Sequence, residues 1–128
     1  MKKLLLFTIL FLSLLFPRVT VTAELLPENE VAVYYSSNEP LWGYQLDVSP
    51  AAIVGITYSK WGFNQYDYNS IIGVAYPRPL CAVHNGILIK FKVYNNDIVN
   101  LTNITIVLKD ENDIPYGIIL PSIHLSNN

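Results

Sequence analysis

Gly86-Ile87-Leu88-Ile89-Lys90-Phe91-Lys92-Val93 is the stretch that decides the fold class. Ile87, Ile89, Phe91 and Val93 take one side of an extended chain, and Lys90 and Lys92 take the other. Side chains alternate across a β-strand, so this spacing predicts a strand with one face in a core and one in water. Asn85-Gly86 before it reads as a turn dipeptide, and Tyr94-Asn95-Asn96-Asp97 after it reads as a turn.

The same period recurs on both sides. From Leu41 to Val48, the residues Trp42, Tyr44, Leu46 and Val48 point one way, and Gly43, Gln45 and Asp47 the other. Ser49-Pro50 stops that strand. Glu30 to Tyr35 alternates more loosely and ends in the turn-rich cluster Ser36-Ser37-Asn38-Glu39-Pro40. Ala51 to Tyr58 is apolar almost throughout, which predicts a strand buried on both sides or one bulged at Gly55. Ile71 to Tyr76 is a further strand, and Pro77-Arg78-Pro79 forces an extended crossing. Asn103 to Lys109 sets Ile104, Ile106 and Leu108 on one face. Asp110-Glu111-Asn112-Asp113 is a turn, and Tyr116 to Leu120 begins a last strand that Pro121 limits to an edge. No stretch after residue 23 holds a helical period. Short strands at regular spacing predict an all-β, antiparallel β-sandwich of about seven to nine strands. Its expected core contains Trp42 or Tyr44, with Leu46, Ile87, Ile89, Phe91, Ile104, Ile106 and Leu108.

The first 23 residues read differently. Lys2 and Lys3 precede an apolar run from Leu4 to Phe16, and Val21-Thr22-Ala23 supplies the small residues a signal peptidase needs. The run of 13 residues is short of the roughly 20 that span a bilayer. A signal peptide over 1–23 and a single domain over 24–128 are therefore expected, in a secreted or cell-surface protein. That mature chain keeps five basic residues against ten acids, a net charge of −5. Such a balance argues against nucleic acid and anionic membrane as partners. Cys81 is the only cysteine, so no intrachain disulfide forms.

Leu41-Trp42-Gly43-Tyr44-Gln45-Leu46-Asp47-Val48 and the later Gly86 to Val93 strand together resemble the cohesin-like domains. The early strand of that family has an aromatic or small residue, Gly, an aromatic, and then Asp between apolar residues. The stretch from Thr102 to Gly117, a strand and an acidic turn, fits the family's ending. The resemblance covers roughly Val31 to Pro121, and the segment from Lys60 to Leu80 departs from it. It implies a jelly-roll sandwich related to carbohydrate-binding modules, and a module that binds a protein partner.

Trp61, Phe63, Tyr66 and Tyr68 fall within eight residues, among Asn64, Gln65, Asp67 and Asn69. With no sustained period, Ser59 to Ser70 reads as a long loop with room for a short edge strand. Aromatic faces bury much area at small entropy cost and stack on sugars or proteins. These four residues are the candidate ligand site, for a protein partner or an extracellular polysaccharide. The competing reading is that Trp61 and Phe63 plug the end of the sandwich while the tyrosines cover its rim.

No cofactor is expected. Asp110, Asn112 and Asp113 crowd side-chain oxygens into one turn, and calcium is the ion they would suit. Calcium takes six to eight oxygens, however, and Asx residues dominate ordinary turns. Asn100-Leu101-Thr102 and Asn103-Ile104-Thr105 are adjacent N-glycosylation triplets. Catalysis finds little footing. Cys81 and His84 on one extended segment point to opposite faces, His124 stands far off in sequence, and no hydrolase or phosphate-binding motif occurs. The sequence thus reads as a non-enzymatic binding or surface-assembly module. Its alternatives are a carbohydrate-binding module and a structural subunit that adds strands to its neighbours through Val31 to Tyr35.

Overall fold

The computed structural model describes residues 18–75, 79 and 85–127. They form ten strands and no helix. In chain order these are β1 (Val19–Leu26), β2 (Glu30–Ser37), β3 (Gly43–Pro50), β4 (Ile53–Tyr58), β5 (Phe63–Tyr66), β6 (Ser70–Val74), β7 (Asn85–Val93), β8 (Ile98–Lys109), β9 (Pro115–Ile119) and β10 (Ile123–Ser126). A four-stranded sheet runs β1-β2-β7-β4. A six-stranded sheet runs β10-β8-β3-β6-β5, with β9 also on β8. Every pairing is antiparallel. The expected β-sandwich is what the chain forms, with one strand more than the upper expectation.

The core lies between the sheets. Val31 and Val33 of β2 and Ile89, Phe91 and Val93 of β7 face Tyr44, Leu46 and Val48 of β3 and Ile104, Ile106 and Leu108 of β8. Of the two aromatics offered for the core, Tyr44 is inside and Trp42 is only half-buried. Tyr44 lies directly opposite Gly73. A Cβ at Gly73 would sit 2.0 Å from the Tyr44 ring, so glycine makes the room the ring fills. Tyr35 stands opposite Gly86 in the same way, with its ring 3.3 Å from where a Cβ would be.

That second pair corrects the reading of Asn85-Gly86 as a turn: both residues lie within β7. The strand's phase also differs at its start. Ile87 is half-buried and Leu88 is fully buried, because β7 carries an extra residue opposite the step from Val33 to Tyr34. A β-bulge of this kind shifts side chains to the other face. β8 repeats the device. It extends five residues N-terminal of the expected start, and the alternation breaks at Asn103, which takes a left-handed φ of 50°. Two residues of β8 there oppose one of β3, so Leu101 and Ile104 both reach the core despite being three apart. β4 is a bulged edge strand, not one buried on both sides; Val54 is exposed. β5 is the short edge strand for which the aromatic segment left room. β1 and β10 were not expected, and the signal reading covered most of β1. The crossing at Pro77-Arg78 lies outside the described residues.

Candidate functional site

The four aromatics of the candidate site part company in the fold. Trp61 is 6% exposed and belongs to the core. Its Nε1–H donates to the Leu88 carbonyl at 2.8 Å, at the β7 bulge, and its ring centroid lies 4.9 Å from that of Tyr44. Bulges free a backbone carbonyl from the ladder, and here an indole N–H takes it up. Trp61 is therefore withdrawn from the surface site. Phe63, at 55% exposed, opens β5 on the outer face of the six-stranded sheet. Tyr66 is 44% exposed; its hydroxyl donates to the Val54 carbonyl at 3.2 Å, linking β5 to β4 across the open side of the sandwich. Tyr68, at 69% exposed, sits in the β5–β6 turn. Asp67 builds that turn: its Oδ1 accepts from the Asn69 and Ser70 amides, each at 2.9 Å, and from the Ser70 hydroxyl. The bond from the Asn69 amide, with help from Ser70, holds its carboxyl below the usual range. Phe63 and Tyr66 thus lie on opposite faces of β5.

Phe63 instead joins a row that the loop reading did not contain. Phe63, Val74, Gly43, Val107 and Gly117 are successive partners across β5, β6, β3, β8 and β9. The next row on that face runs Gln65, Ile72, Gln45, Thr105 and Ile119. Phe63, Ile72, Val74 and Ile119 are exposed on this face, interspersed with Gln65, Gln45 and Thr105. Gly43 leaves a trough between the side chains. It forms a hollow of about 320 Å³ walled by Trp42, Val74, Val107, Lys109 and Pro115, with Gln45 and Thr105 as its polar groups. Lys109 Nζ stands 3.6 Å from the Trp42 ring centroid, a cation–π contact that covers one face of the indole. The same ammonium reaches Asp113 at 3.5 Å.

The sequence signal for this face was Ile71-Ile72-Gly73-Val74. A strand with Ile71 inside still carries Ile72 and Val74 outside, which makes it apolar on both faces. Another hollow, of about 410 Å³, lies at one end of the sandwich between Pro50, Ala51, Ala52, Tyr94, Asn95, Asp97 and Ile98.

The remaining candidates take part in local hydrogen bonds. Asp110 Oδ1 accepts from the Asn112 and Ile114 amides, both at 2.9 Å, so the acidic turn closes on its own backbone. No group of three metal-ligating His, Cys, Asp or Glu residues occurs among the described residues. Asn103 is exposed on its bulge, and its amide donates to Asp47 Oδ2 at 2.8 Å. Asn100 and His124 are hydrogen-bonded to each other across β8 and β10. Cys81 and His84 lie outside the described residues.

No protein-family model matches this sequence, and no curated protein matches it. The architecture agrees with the cohesin-like resemblance in being an antiparallel all-β sandwich, and in nothing more specific.

Proposed function

We propose that this chain is an exported, non-enzymatic binding or surface-assembly module that uses the outer face of its six-stranded sheet. The observation that carries the reading is the set of exposed apolar side chains on that face, Phe63, Ile72, Val74 and Ile119. A monomer that binds nothing rarely leaves such a patch in water. Of the expected ligand-site residues, Phe63 lies on this face.

A protein partner fits this face better than a sugar does. Val74, Ile72, Val107 and Ile119 are aliphatic and suit an apolar protein surface. Sugar stacking needs a free, flat ring, and Trp42 has Lys109 over one side. The test uses the tagged mature chain and an Ile72→Asp, Val74→Asp variant against the host's extracellular fraction. Capture by the parent and loss in the variant, with unfolding unchanged, supports the reading. Quenching of Trp fluorescence by soluble polysaccharides would favour the carbohydrate-binding module instead.

A further inference from the structure

The bond after Ala23, which the sequence marks for a signal peptidase, lies inside a strand of the sandwich. All eight residues of β1 pair with β2, from Val19 opposite Ser37 to Leu26 opposite Glu30. Arg18 extends the ladder: its amide donates to Asn38 Oδ1 at 2.7 Å, and its carbonyl accepts from the Asn38 amide at 3.2 Å. Val19, Val21, Ala23 and Leu25 turn inward and pack on the core, while Thr20, Thr22 and Glu24 face solvent. A cut after Ala23 removes five of the eight residues.

What remains is anchored. Glu24, Leu25 and Leu26 stay opposite Ala32, Val31 and Glu30, next to the hairpin turn. Asn96 Nδ2 donates to the Leu26 carbonyl at 2.9 Å, and the Tyr34 hydroxyl donates to Glu24. Beyond that stump, β2 from Val33 to Ser37 becomes the edge of its sheet. Its ladder groups toward β1 lose their partners. Val33 and Tyr35, both buried in the intact chain, lose the side chains that flank them. A bare edge beside an uncovered apolar row is a template for strand addition.

We propose that processing after Ala23 turns β2 into a docking edge for an extended strand of a partner protein, bound antiparallel over Val33 to Ser37. The proposal rests on the export reading above. The occupant's chemistry follows from the segment that fills the edge before processing. Its inward positions carry Val19, Val21 and Ala23, so the partner strand has small or β-branched apolar residues at alternate places. Its outward positions carry Thr20 and Thr22, which with Tyr34, Ser36, Asn85 and Ile87 line a hollow on the outer face. Polar side chains belong there. A charged residue at an inward position would enter an apolar row without a counter-charge. The other edges are poorer templates: β4 is interrupted by bulges, β5 and β10 have four residues each, and β9 has five. In the unprocessed chain the edge is filled by its own leader-proximal segment, so processing gates the site.

The experiment uses the chain beginning at Glu24, the unprocessed chain, and the probe hexapeptide Arg-Val-Thr-Val-Thr-Ala, which is residues 18–23. The expected result is saturable binding of the probe to the Glu24 chain, with a raised unfolding midpoint. A probe with Asp in place of Val21 should bind at least tenfold more weakly, and the unprocessed chain should bind neither. A folded Glu24 chain that ignores the probe, or takes both probes equally, overturns the proposal. If the Glu24 chain does not fold alone, the unprocessed chain is folded with a protease site inserted after Ala23 and then nicked. Retention of the fragment, and its exchange with labelled probe, supports the proposal; release without rebinding overturns it. Mass spectrometry of the host protein separates this from the export reading. After trypsin, an exported chain whose first peptide starts at Glu24 agrees with both. One whose peptide starts at Val19 overturns the processing step and leaves export standing. A chain kept inside the cell with its leader overturns export.

Discussion

Trp61 shows how one side chain can serve a fold that its neighbours in sequence leave for the surface. Its indole N–H meets the Leu88 carbonyl at 2.8 Å where β7 gains its extra residue. Replacing Trp61 by Phe keeps a ring in place and leaves that carbonyl buried without a partner. The expected cost is about 1–3 kcal/mol, read by urea unfolding. Phe63→Ser, two residues away on the outer face, should move stability by no more than about 0.5 kcal/mol. Equal effects would show that Trp61 is not the group satisfying the bulge. The two strand glycines Gly73 and Gly55 separate in the same way. Gly73→Ala forces a Cβ to within 2.0 Å of the Tyr44 ring, whereas at Gly55 the nearest atom is the Tyr66 hydroxyl at 3.9 Å. Thermal unfolding should therefore fall sharply for Gly73→Ala and little for Gly55→Ala. The Tyr44 phenol beneath this contact is pushed up by burial, so it stays protonated throughout the range in which the protein would be studied.

At the scale of elements, the period of two was legible wherever a strand keeps one face wet and runs without a bulge. β3 and the second half of β7 are such strands. Phe91 is fully buried and Lys92 beside it is half-buried. Phe91→Ala should cost about 3–5 kcal/mol and Lys92→Ala far less, by denaturant unfolding. Comparable costs would mean that the strand's faces are misassigned. The pattern failed where bulges reset it. Leu88 and Asn103 each add a residue, so the expected strand began late in β8, and Ile87 was placed fully inside in β7. Asn85-Gly86 misled for another reason: glycine there makes room for the Tyr35 ring across the strand pair, a tertiary need that local turn chemistry does not reveal. β1 was hidden because Val19 to Ala23 satisfies two patterns at once, small residues for a peptidase and alternation for a strand.

For the whole molecule, the sequence carried the fold class; of the candidate ligand residues, Phe63 lies on the outer face of the six-stranded sheet, and the sequence does not show how far that face extends. That extent depends on registry among five strands, β5, β6, β3, β8 and β9, and no local window contains it. The rows Phe63-Val74-Gly43-Val107-Gly117 and Gln65-Ile72-Gln45-Thr105-Ile119 exist only once those strands pair. An exposed apolar face on a domain in water has two physical fates: a partner covers it, or the domain self-associates through it. The −5 charge of the chain from Glu24 onward opposes self-association through long-range repulsion, and salt screens that repulsion over about 8 Å at physiological ionic strength. The face should therefore reveal itself as salt is raised. Sedimentation of the chain from Glu24 onward should show association growing with salt, and the Ile72→Asp, Val74→Asp variant should lose that salt-dependent association. The unfolding free energy of that variant should remain within about 1 kcal/mol of the parent, since both side chains face outward. A loss much larger than that would place Ile72 and Val74 among the core contacts, and the outer face would no longer serve as the binding surface.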